Sequence, residues 1–421
     1  MPQTHPTTGL ILTGGGARAA YQVGVLKAVA KIRRDAAPWQ YGNPFPVITG
    51  TSAGAINAAA LATHSDDFDG AVAAMADVWE NFRAEQVYRA DALGVIRTGA
   101  RWLTMMSLGW VIARWRRMRM RSLLDNTPLA TLLEEMVAVD RLPDLMRSGH
   151  LQALAVTASS YSSGTHVTFY DSLQEFAAWN RSQRIAVRSP ITTQHLLASA
   201  AIPFVFPAVP LDFDGVTEYF GDGSMRQSAP ISPAIHLGAN RILVVGAGRM
   251  HEPPGRRRVS GAYPNFAQIA GHALSNIFLD ALAVDIERLQ RINNTLSLLP
   301  PEALVGTALR PIDVLVIAPS QRLDDLAAKH VNALPQTIRA LLRGIGVSGK
   351  GSDTRGAALA SYLLFESAYT RELVALGWAD TMARRDEVTG FFGWERRRTP
   401  RGPSAPKPEF QITDFQTTEF E

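Results

Sequence analysis

The sequence predicts an α/β fold with a mostly parallel central sheet and helices on both of its faces. Two observations support this class. Short apolar runs rich in β-branched residues recur along the chain, and segments with helical spacing or a high Ala and Leu content separate them. The chain has 421 residues, 46% of them hydrophobic, so it can bury a large core. Strands that alternate with helices in this way pair in parallel, and the helices cover the sheet.

Five apolar runs are interpreted as buried strands. They are Thr8–Thr13, Phe45–Thr49, Leu151–Thr157, Arg241–Gly246 and Ile312–Ile317. A further segment, Thr165–Tyr170, has an alternating pattern that is typical of a strand with one solvated face. We expect this segment to be an antiparallel neighbour.

One helix is clear from its periodicity, in the stretch HALSNIFLDALAVDIERLQRIN. Its apolar stripe consists of Leu279, Leu282, Ile286 and Leu289, and its polar side of Asp280, Asp285, Glu287 and Arg291. Packing of this stripe on the sheet explains the pattern, and so does packing on a second subunit. A homodimer that uses residues 277–292 is therefore an open alternative.

The composition narrows the class of protein. The chain contains no cysteine, so it has neither disulfides nor thiol nucleophiles, and a reducing compartment suits it. Its first residues, MPQTHPTTGL, lack the basic start and apolar run of a secretory signal. No uncharged apolar run approaches the roughly 20 residues that span a bilayer. The formal net charge of +4 is compatible with anionic surfaces but decides nothing alone. We expect a cytoplasmic protein without a nucleic-acid partner.

The chain divides into three parts, the first of which contains an insertion. Residues 1–250 form the core, and residues 265–394 are a mostly helical extension with one further strand near 312–317. The Pro-, Arg- and Thr-rich residues 395–421 cannot build a core, and we expect them to be disordered. Within the core, residues 93–124 combine large apolar residues and arginines without an acidic residue, which favours a helical insertion or cap.

A serine between two glycines follows the second predicted strand, in Gly50-Thr51-Ser52-Ala53-Gly54. The run FPVIT precedes the glycines, and the small-residue segment AGAINAAALAT continues as a helix. This order is typical of a G-x-S-x-G nucleophile elbow. The neighbouring chain comes close at such a turn, so larger side chains two positions before and after the serine would clash. Ser52 is therefore a candidate nucleophile, with a serine in an ordinary turn or helix cap as the alternative.

Three consecutive glycines, Gly14, Gly15 and Gly16, follow the first predicted strand and precede a helix. Their bare amides suit a phosphate or an oxyanion. A dinucleotide-binding loop also begins this way, but the third spaced glycine is missing here, and Asp35 follows two arginines instead of a strand. Both this loop and Ser52 follow strands, so they belong at the same edge of the sheet. Nucleotide binding and a purely structural loop are the alternatives.

A serine nucleophile needs a proton acceptor, and the histidines of this chain lie in no distinctive motif. His195 and His236 both lie in predicted helix interiors, where histidines usually pack. Asp222 is a better candidate, because it stands between Gly221 and Gly223 ahead of a helix and the strand RILVVG. A turn aspartate is the alternative, since Asp-Gly pairs are common in turns.

Four motifs in this order resemble those of the patatin-like phospholipases. They are GGGARAAYQVGVL, GTSAGA, ASAAIPFVFPAV and FGDGSMRQSAPISPAIHLGA, and they extend over residues 9–246. The resemblance implies a three-layer α/β/α fold of the patatin and lysophospholipase-like type. It also implies hydrolysis of a phospholipid or lysophospholipid through an acyl-enzyme, without a metal or an organic cofactor.

The resemblance assigns roles to particular residues. Ser52 would be the nucleophile and Asp222 the base of a Ser–Asp dyad that uses no histidine. A basic residue often follows the glycine loop in this family, so Arg18 would contact an anionic head group or orient the loop. The oxyanion hole would consist of the amides of Gly14, Gly15 and Gly16.

Two positions depart from the pattern of the family. Ala19 stands where members commonly have glycine, and Ser224 stands where the Asp-Gly motif often ends in Gly or Ala. Both replacements are small, so we expect activity to persist, while the geometry of the two loops is left open.

A lipid hydrolase must also meet an interface. Residues 93–124 contain several tryptophans and arginines, a combination that suits an interfacial helix beside anionic lipid. A cap packed on the domain is the alternative. Two rival functions stay open as well, namely an acyltransferase on the same dyad and a non-catalytic lipid-binding protein.

Overall fold

The computed structural model describes most of the chain. The described residues are 6–89, 122–177, 179–213, 215–249, 263, 265–277, 281–304, 307, 309–344, 346–347 and 356–394. Of the insertion predicted over residues 93–124, only residues 122–124 are among them. The tail predicted over residues 395–421 lies outside them.

Nine strands are present in the described residues, and all belong to one sheet. They are β1 (Thr8–Leu12), β2 (Val47–Thr51), β3 (Ala153–Ser160), β4 (His166–Asp171), β5 (Arg184–Arg188), β6 (Val209–Phe213), β7 (Val216–Asp222), β8 (Arg241–Val245) and β9 (Asp313–Ile317).

Fifteen α-helices accompany these strands in the described part of the chain. They are α1 (Ala20–Ala36), α2 (Ala53–Ala62), α3 (Phe68–Glu80), α4 (Thr127–Met136), α5 (Leu142–Arg147), α6 (Thr193–Ser199), α7 (Ser232–His236), α8 (Phe266–Ser275), α9 (Ala281–Ser297), α10 (Pro301–Leu304), α11 (Leu323–His330), α12 (Gln336–Gly344), α13 (Ala357–Leu363), α14 (Ser367–Ala383) and α15 (Arg385–Phe392).

Local sequence signals explain where several helices begin and end. The Asp67 side chain accepts a hydrogen bond from the Gly70 amide at 3.0 Å and caps α3. At the start of α8, Asn265 and Gln268 form a reciprocal capping box. Helix α15 ends at Gly393, whose φ of 68° lies in the left-handed region that glycine adopts without strain.

The sheet is mostly parallel, with an antiparallel group at one side. Its order is β5-β4-β3-β2-β1-β8-β9, and β7 pairs with both β3 and β6. Parallel pairs join β3 to β9 through β2, β1 and β8, whereas β4, β6 and β7 enter through antiparallel pairs. This architecture confirms the predicted α/β class.

Hydrophobic cores lie on both faces of the sheet. Along β1, Leu10 and Leu12 belong to the core on one face, and Ile11 belongs to the core on the other. Neighbouring residues of β8 divide in the same way, with Leu243 on the first face and Ile242 on the second. Side chains alternate along a strand, so buried apolar residues in succession require a layer of helices on each side.

The predicted strands are confirmed, with ends shifted by no more than three residues. All five apolar runs form parallel strands, and the sixth segment, now β4, is antiparallel to β3 as expected. The structure adds β5, β6 and β7, which the sequence patterns did not indicate. No helix within the described ranges is both long and apolar enough to cross a membrane.

The periodic helix packs on the sheet, and one of its predicted solvent-facing residues does not face solvent. Leu282, Ile286 and Leu289 on α9 belong to the same core as β8. Asp285 was expected on the polar side, but its carboxylate accepts a hydrogen bond from the Ile231 amide at 3.0 Å. That hydrogen bond holds the backbone at Ile231, the residue before α7. The homodimer stays a prediction.

The C-terminal extension is continuous with the core. Strand β9 pairs in parallel with β8 and completes the sheet, from Arg241 opposite Asp313 to Val245 opposite Ile317. Helix α14 crosses α1 at two glycines: a β-carbon at Gly377 would lie 2.1 Å from the Tyr21 carbonyl oxygen, and one at Gly24 would lie 2.0 Å from that of Val374. The two backbones therefore touch, and no side chain fits between them.

Candidate active site

The sheet brings two predicted residues together along one edge of β3. Strand β4 pairs with β3 over residues 154–159. On the other edge, Thr51 of β2 lies opposite Thr157, and Asp222 of β7 lies opposite Ala158. Strands β2 and β7 therefore lie end to end, with their carboxyl ends facing each other. The residue that follows β2 is Ser52, so the register alone places it beside Asp222.

Ser52 lies at a sharp turn between β2 and α2. Its φ of 56° and ψ of −133° are strained for a residue with a side chain. A β-carbon at Gly50 would lie 2.5 Å from the Cα of Ala55, and one at Gly54 would lie 2.3 Å from the Leu12 carbonyl oxygen. The expected clash at both flanking positions is therefore present.

Ser52 and Asp222 are hydrogen-bonded directly. The Ser52 hydroxyl donates to the carboxylate with 2.6 Å between Oγ and Oδ2, and the two residues are 1% and 0% exposed. The second oxygen, Oδ1, accepts from the Ser224 amide at 2.8 Å. On the other side, the Ser52 amide donates to Ser199 Oγ at 2.8 Å. These contacts leave the hydroxyl proton pointing at the carboxylate, with no intervening group.

The carboxylate of Asp222 has an altered acidity. Burial raises its pKa from 3.8 to about 6, against hydrogen bonds from Ser52 and Ser224 that lower it. At neutral pH the group is therefore ionised, and it is more basic than an exposed aspartate. A proton acceptor for a hydroxyl benefits from both properties.

The Asp-Gly pair is held by the surrounding backbone. The Asp222 amide donates to the Ala201 carbonyl at 3.0 Å, and the Gly223 amide donates to that of Ser199 at 3.2 Å. A β-carbon at Gly223 would lie 2.1 Å from the Thr157 carbonyl oxygen, so only glycine fits against β3. The pair thus ends a strand in a fixed setting and does not form an isolated hairpin turn. Because Ser224 meets Asp222 through its amide, its replacement of Gly or Ala leaves that contact intact.

The two histidines weighed as bases lie elsewhere. His195 Nδ1 accepts a hydrogen bond from the Thr192 amide at 3.1 Å. The centre of its imidazole ring lies 4.5 Å from that of the Phe169 ring. Burial lowers the pKa of His195 to about 4, so it is neutral. His236 stacks on Trp179 at 4.9 Å. No histidine in the described ranges is hydrogen-bonded to Ser52 or Asp222.

The glycine loop reaches the same site from β1. Gly16 has a φ of 55° and lines a cavity that also contains Ser52. The amides of Gly15 and Gly16 donate to no other residue that the structure describes. Buried amides are rarely left unpaired, so these two are available for a ligand. Gly14 lies between β1 and Gly15, and neither it nor Gly15 lines the cavity.

A buried chain of side-chain amides fixes the start of this loop. Gln22 donates to the Thr13 carbonyl at 2.7 Å, Asn57 donates to Gln22 at 2.9 Å, and Trp79 donates to Asn57 at 2.8 Å. The chain ties helices α1, α2 and α3 to the residue before the glycines. The sequence patterns did not indicate this network, because its members are ordinary helix residues with no local signal.

Arg18 points away from Ser52. The residue is 2% exposed, its Nε donates to Ser361 Oγ at 2.8 Å, and its guanidinium lies 4.0 Å from the centre of the Tyr362 ring. Its Nη2 forms an ion pair with Asp324 at 2.5 Å. A head-group contact by Arg18 stays a prediction that would require the side chain to leave these partners.

A narrow apolar cavity opens beside the nucleophile. Its volume is about 30 Å³, room for one or two waters. The lining comes from α2, α3, α4, the chain after α6 and the C-terminal extension. The lining residues are Gly16, Ser52, Ala53, Ile56, Trp79, Phe82, Val87, Leu129, Leu132, Met136, Ala200, Ile202, Phe206 and Phe365. Such a wall suits hydrocarbon, and an acyl chain would have to displace part of it.

The described residues contain no cluster of three or more histidines, aspartates or glutamates placed to hold a metal ion. The groups that meet at this site are the Ser52 hydroxyl, the Asp222 carboxylate and the amides of the glycine loop. Together they can transfer a proton from the serine, form a covalent adduct and receive negative charge on an oxygen.

The chain matches the sequence model of a known family. Residues 10–235 match the sequence model described as patatin-like phospholipase, which is more than half of the chain. This range contains Ser52, Asp222 and the whole glycine loop. No curated protein sequence matches the chain significantly.

Comparison with solved structures gives distant partial overlaps. VipD from Legionella pneumophila is 11% identical over 91% of this chain and 67% of its own, with a TM-score of 0.29. Human GIVD cytosolic phospholipase A2, in complex with methyl γ-linolenyl fluorophosphonate, is 14% identical. The match covers 92% of this chain and 59% of the phospholipase, with a TM-score of 0.37. Full-length ExoU of Pseudomonas aeruginosa, in complex with SpcU, is 14% identical. The match covers 91% of this chain and 78% of the matched chain, with a TM-score of 0.26.

Proposed function

The chain belongs to the patatin-like phospholipase family, and on that premise we propose that Ser52 and Asp222 are the catalytic dyad of this lipid ester hydrolase. The observation that carries the proposal is the direct hydrogen bond of 2.6 Å between Ser52 Oγ and Asp222 Oδ2. The proposed substrates are phospholipids or lysophospholipids, which supply an ester carbonyl and an acyl chain.

The proposed reaction has two halves. Ser52 Oγ attacks the ester carbonyl carbon while its proton moves to Asp222 Oδ2. The tetrahedral intermediate collapses as Asp222 gives the proton to the leaving alcohol oxygen, and an acyl-enzyme is left. Water then attacks the acyl carbon with Asp222 again accepting the proton. The fatty acid departs when Oγ recovers that proton.

The negative charge that develops on the carbonyl oxygen needs donors. The unpaired amides of Gly15 and Gly16 support such a role, and α2 begins at Ala53 with its positive dipole end toward the nucleophile. Gly14 completes the proposed oxyanion loop. Losing one donor of this kind typically costs about 100- to 1,000-fold in rate.

The acyl chain is proposed to enter the apolar cavity beside Ser52. The lining is almost entirely carbon, so burial of each methylene there is favourable by about 0.8 kcal/mol. Because the present volume is small, we expect affinity to depend on how readily side chains such as Phe206 and Phe365 move aside.

Membrane contact through residues 93–124 is proposed alongside the chemistry, for a cytoplasmic protein that binds lipid surfaces peripherally. Its support in the described residues is the nearness of the two ends of the segment to the cavity. The Arg89 amide donates to the Asp125 carbonyl at 2.8 Å, and the Leu123 amide to that of Phe204 at 2.9 Å, close to cavity residues Val87 and Phe206. Replacing Arg114, Arg116, Arg117 and Arg119 by Glu should weaken sedimentation with anionic vesicles and spare hydrolysis of a soluble ester.

The test of the dyad is hydrolysis of a chromogenic fatty ester by the parent, Ser52→Ala and Asp222→Asn. We expect both variants to lose at least about 1,000-fold in kcat, because each removes a group that forms or breaks bonds. Matched controls are Ser65→Ala, at a serine buried in another part of the fold, and Asp77→Asn, at an exposed aspartate of α3.

A second readout tests the covalent step. An alkyl fluorophosphonate should add to Ser52 in the parent, and a mass shift of the peptide that contains residue 52 would report it. Full activity of Ser52→Ala would refute the proposal. Analysis of the products from a mixed phospholipid extract separates hydrolysis from acyl transfer, since only hydrolysis releases free fatty acid.

A further inference from the structure

Arg18 connects the glycine loop to the C-terminal extension. Beyond the Asp324 ion pair on α11, Nε donates to Ser361 on α13 at 2.8 Å, and Nη2 reaches the Ala358 carbonyl oxygen at 3.4 Å. The flat face of the guanidinium lies on Tyr362, 4.0 Å from the ring centre. One side chain thus contacts two helices. Its charge pairs with Asp324 on α11, and its N–H donors and planar face contact α13.

The loop itself touches the same helix. A β-carbon at Gly16 would lie 2.3 Å from the carbonyl oxygen of Tyr362. The bend of the loop at Gly16, with its φ of 55°, is therefore pressed directly against the backbone of α13. A shift of α13 would move Gly16, and Gly16 lines the cavity that contains Ser52.

The partners of Arg18 lie outside the part of the chain that matches the family model, which ends at residue 235. Among the hydrogen bonds that the structure describes for these partners, none goes to Ser52 or Asp222. The loop thus meets two parts of the chain. Gly16 lines the cavity with Ser52, and Arg18 and Gly16 contact the helices of the extension.

We propose that Arg18 is a positioning residue through which helices α11 and α13 fix the glycine loop in its productive shape. The C-terminal extension would then be a required part of the site without supplying a reacting group. The catalytic consequence rests on the proposed function, whereas the effect on loop order does not.

The energetics favour such a role. A buried guanidinium whose carboxylate partner is removed is left uncompensated, which is far more costly than loss of an exposed pair. Lysine keeps the charge but has neither the donor fork nor the planar face, so it replaces only part of the contact. A displacement of about 1 Å in oxyanion donors can lower a rate by about 100-fold.

The experiment compares full-length Arg18→Met, Arg18→Lys, Asp324→Asn and Ser361→Ala. Arg34→Met is the matched control, because Arg34 is a half-exposed arginine on α1 that pairs with Asp69 at 3.0 Å. Three quantities are measured for each protein: kcat and KM on a soluble fatty ester, the thermal midpoint, and hydrogen–deuterium exchange of peptides that cover residues 13–19.

We expect Arg18→Met and Asp324→Asn to lower kcat by about 10- to 100-fold with KM nearly unchanged, and to speed exchange in residues 13–19. Arg18→Lys should recover part of kcat, and Ser361→Ala should have the smallest effect of the four. Arg34→Met should match the parent in kcat and loop exchange. If Arg18→Met does not fold, Asp324→Asn and Ser361→Ala decide the question.

Two results would overturn the proposal. An unchanged kcat in folded Arg18→Met or Asp324→Asn removes the positioning role, whatever the exchange. A rise in KM alone, with kcat and exchange unchanged, would indicate instead the head-group contact considered from the sequence. If the parent hydrolyses no ester, the proposed function fails, and loop exchange alone then decides the inference: faster exchange in Arg18→Met but not in Arg34→Met supports it, and equal exchange refutes it.

Discussion

The N-terminal core and the C-terminal extension contribute differently to the same site. The core supplies every group proposed to react, namely Ser52, Asp222 and the glycine amides. The extension supplies β9 at the edge of the sheet, α14 against α1, and the helices that hold Arg18. In the core, glycines permit the geometry of the nucleophile. In the extension, they permit helices to touch.

The difference teaches that the groups proposed to react and the elements that hold them in place come from separate parts of the sequence. In the folded protein, the two parts are in contact. The edge of β8 and the groove at Gly24 both belong to the core, and both are filled by the extension. Substitutions of equal size on the two sides should therefore have different signatures. Those beside the nucleophile in the core should alter the rate of the folded enzyme, and those in the extension that lie away from the Arg18 contacts should mainly alter its stability.

Among substitutions outside the dyad, the largest effect is expected from Gly54→Ala. The new β-carbon would lie 2.3 Å from the Leu12 carbonyl oxygen and 2.5 Å from that of Thr13, both backbone atoms. Helix α2 must move, and Ser52 moves with it. We expect a loss of at least about 100-fold in kcat in the molecules that remain folded, and a destabilisation of about 3 kcal/mol or more. Ester hydrolysis and denaturant titration measure the two quantities.

Folded Gly54→Ala with normal kcat would contradict the claim that the elbow sets the geometry of the nucleophile. Titration of active sites with a fluorophosphonate separates a lower rate from a smaller number of competent molecules.

Gly377→Ala tests the other side of the comparison. Alanine in a helix is usually favoured over glycine by up to about 1 kcal/mol. Here the β-carbon would lie 2.1 Å from the Tyr21 carbonyl oxygen, so α14 must separate from α1. We expect a net destabilisation of about 2–4 kcal/mol, with kcat of the folded fraction largely retained.

Gly344→Ala is the matched control for that substitution. Gly344 is also a helical glycine of the extension, but in the described residues no atom other than its chain neighbours and its own helix backbone lies within 4 Å of the β-carbon position. The substitution should leave stability unchanged or raise it by up to about 1 kcal/mol. Equal melting temperatures for the two variants would refute the close-contact interpretation.

The acidity of Asp222 gives a smaller effect with a definite sign. Its pKa is raised to about 6, so the folded state holds a proton between pH 3.8 and about 6 that the unfolded chain has released. The stabilisation from this proton is complete below pH 3.8 and is lost as the pH rises through about 6. Asp222→Asn should therefore be more stable than the parent at pH 8, on the order of 1–3 kcal/mol.

Activity should show the opposite trend with pH. Because Asp222 must be ionised to accept the Ser52 proton, kcat/KM should fall below an apparent pKa of about 6. Thermal midpoints of the parent, Asp222→Asn and the exposed control Asp77→Asn between pH 5 and 8 test the stability effect. A parent with the same stability as Asp222→Asn at pH 8 would argue against a costly buried carboxylate.

Tyr21→Phe should give the smallest effect. The Tyr21 hydroxyl donates to Asp380 Oδ2 on α14 at 3.0 Å. That oxygen also accepts from the Ser320 amide at 3.0 Å, so it keeps one partner when the hydroxyl is removed. We expect a loss of about 1 kcal/mol, measured by denaturant titration, and no change in kcat. Tyr41→Phe, at a tyrosine that is 91% exposed, should change neither.

Much of the fold could be predicted because its strands are buried on both sides. Residues such as Ile11 and Val244 must be apolar wherever a sheet has helices on both faces, so the runs stand out. Strand β7 did not stand out, because its first residues are partly exposed and their pattern is mixed. Asp222 was therefore identified as a candidate without the strand that carries it.

The site could be predicted where its signal is local. Around Ser52 and in the glycine loop, the backbone geometry of a few consecutive residues requires glycine. This requirement is visible in the sequence as a motif. The contacts of Ser199 with Ser52 and of Arg18 with Asp324 join residues 147 and 306 positions apart. A serine or an arginine carries no mark of such a distant partner, so the role of Ser199 and the burial of Arg18 emerged only from the structure.

The late position of β9 and α14 in the chain has a consequence for biosynthesis. When a ribosome has released β8, the edge that β9 will occupy and the groove at Gly24 are still empty, and Arg18 lacks its carboxylate. At about 5–20 residues per second, α14 follows on the order of ten seconds later. Until then an emerging chain carries its nucleophile without the elements that complete the sheet. We expect the nascent protein to gain the ability to cleave lipids only when translation is nearly finished.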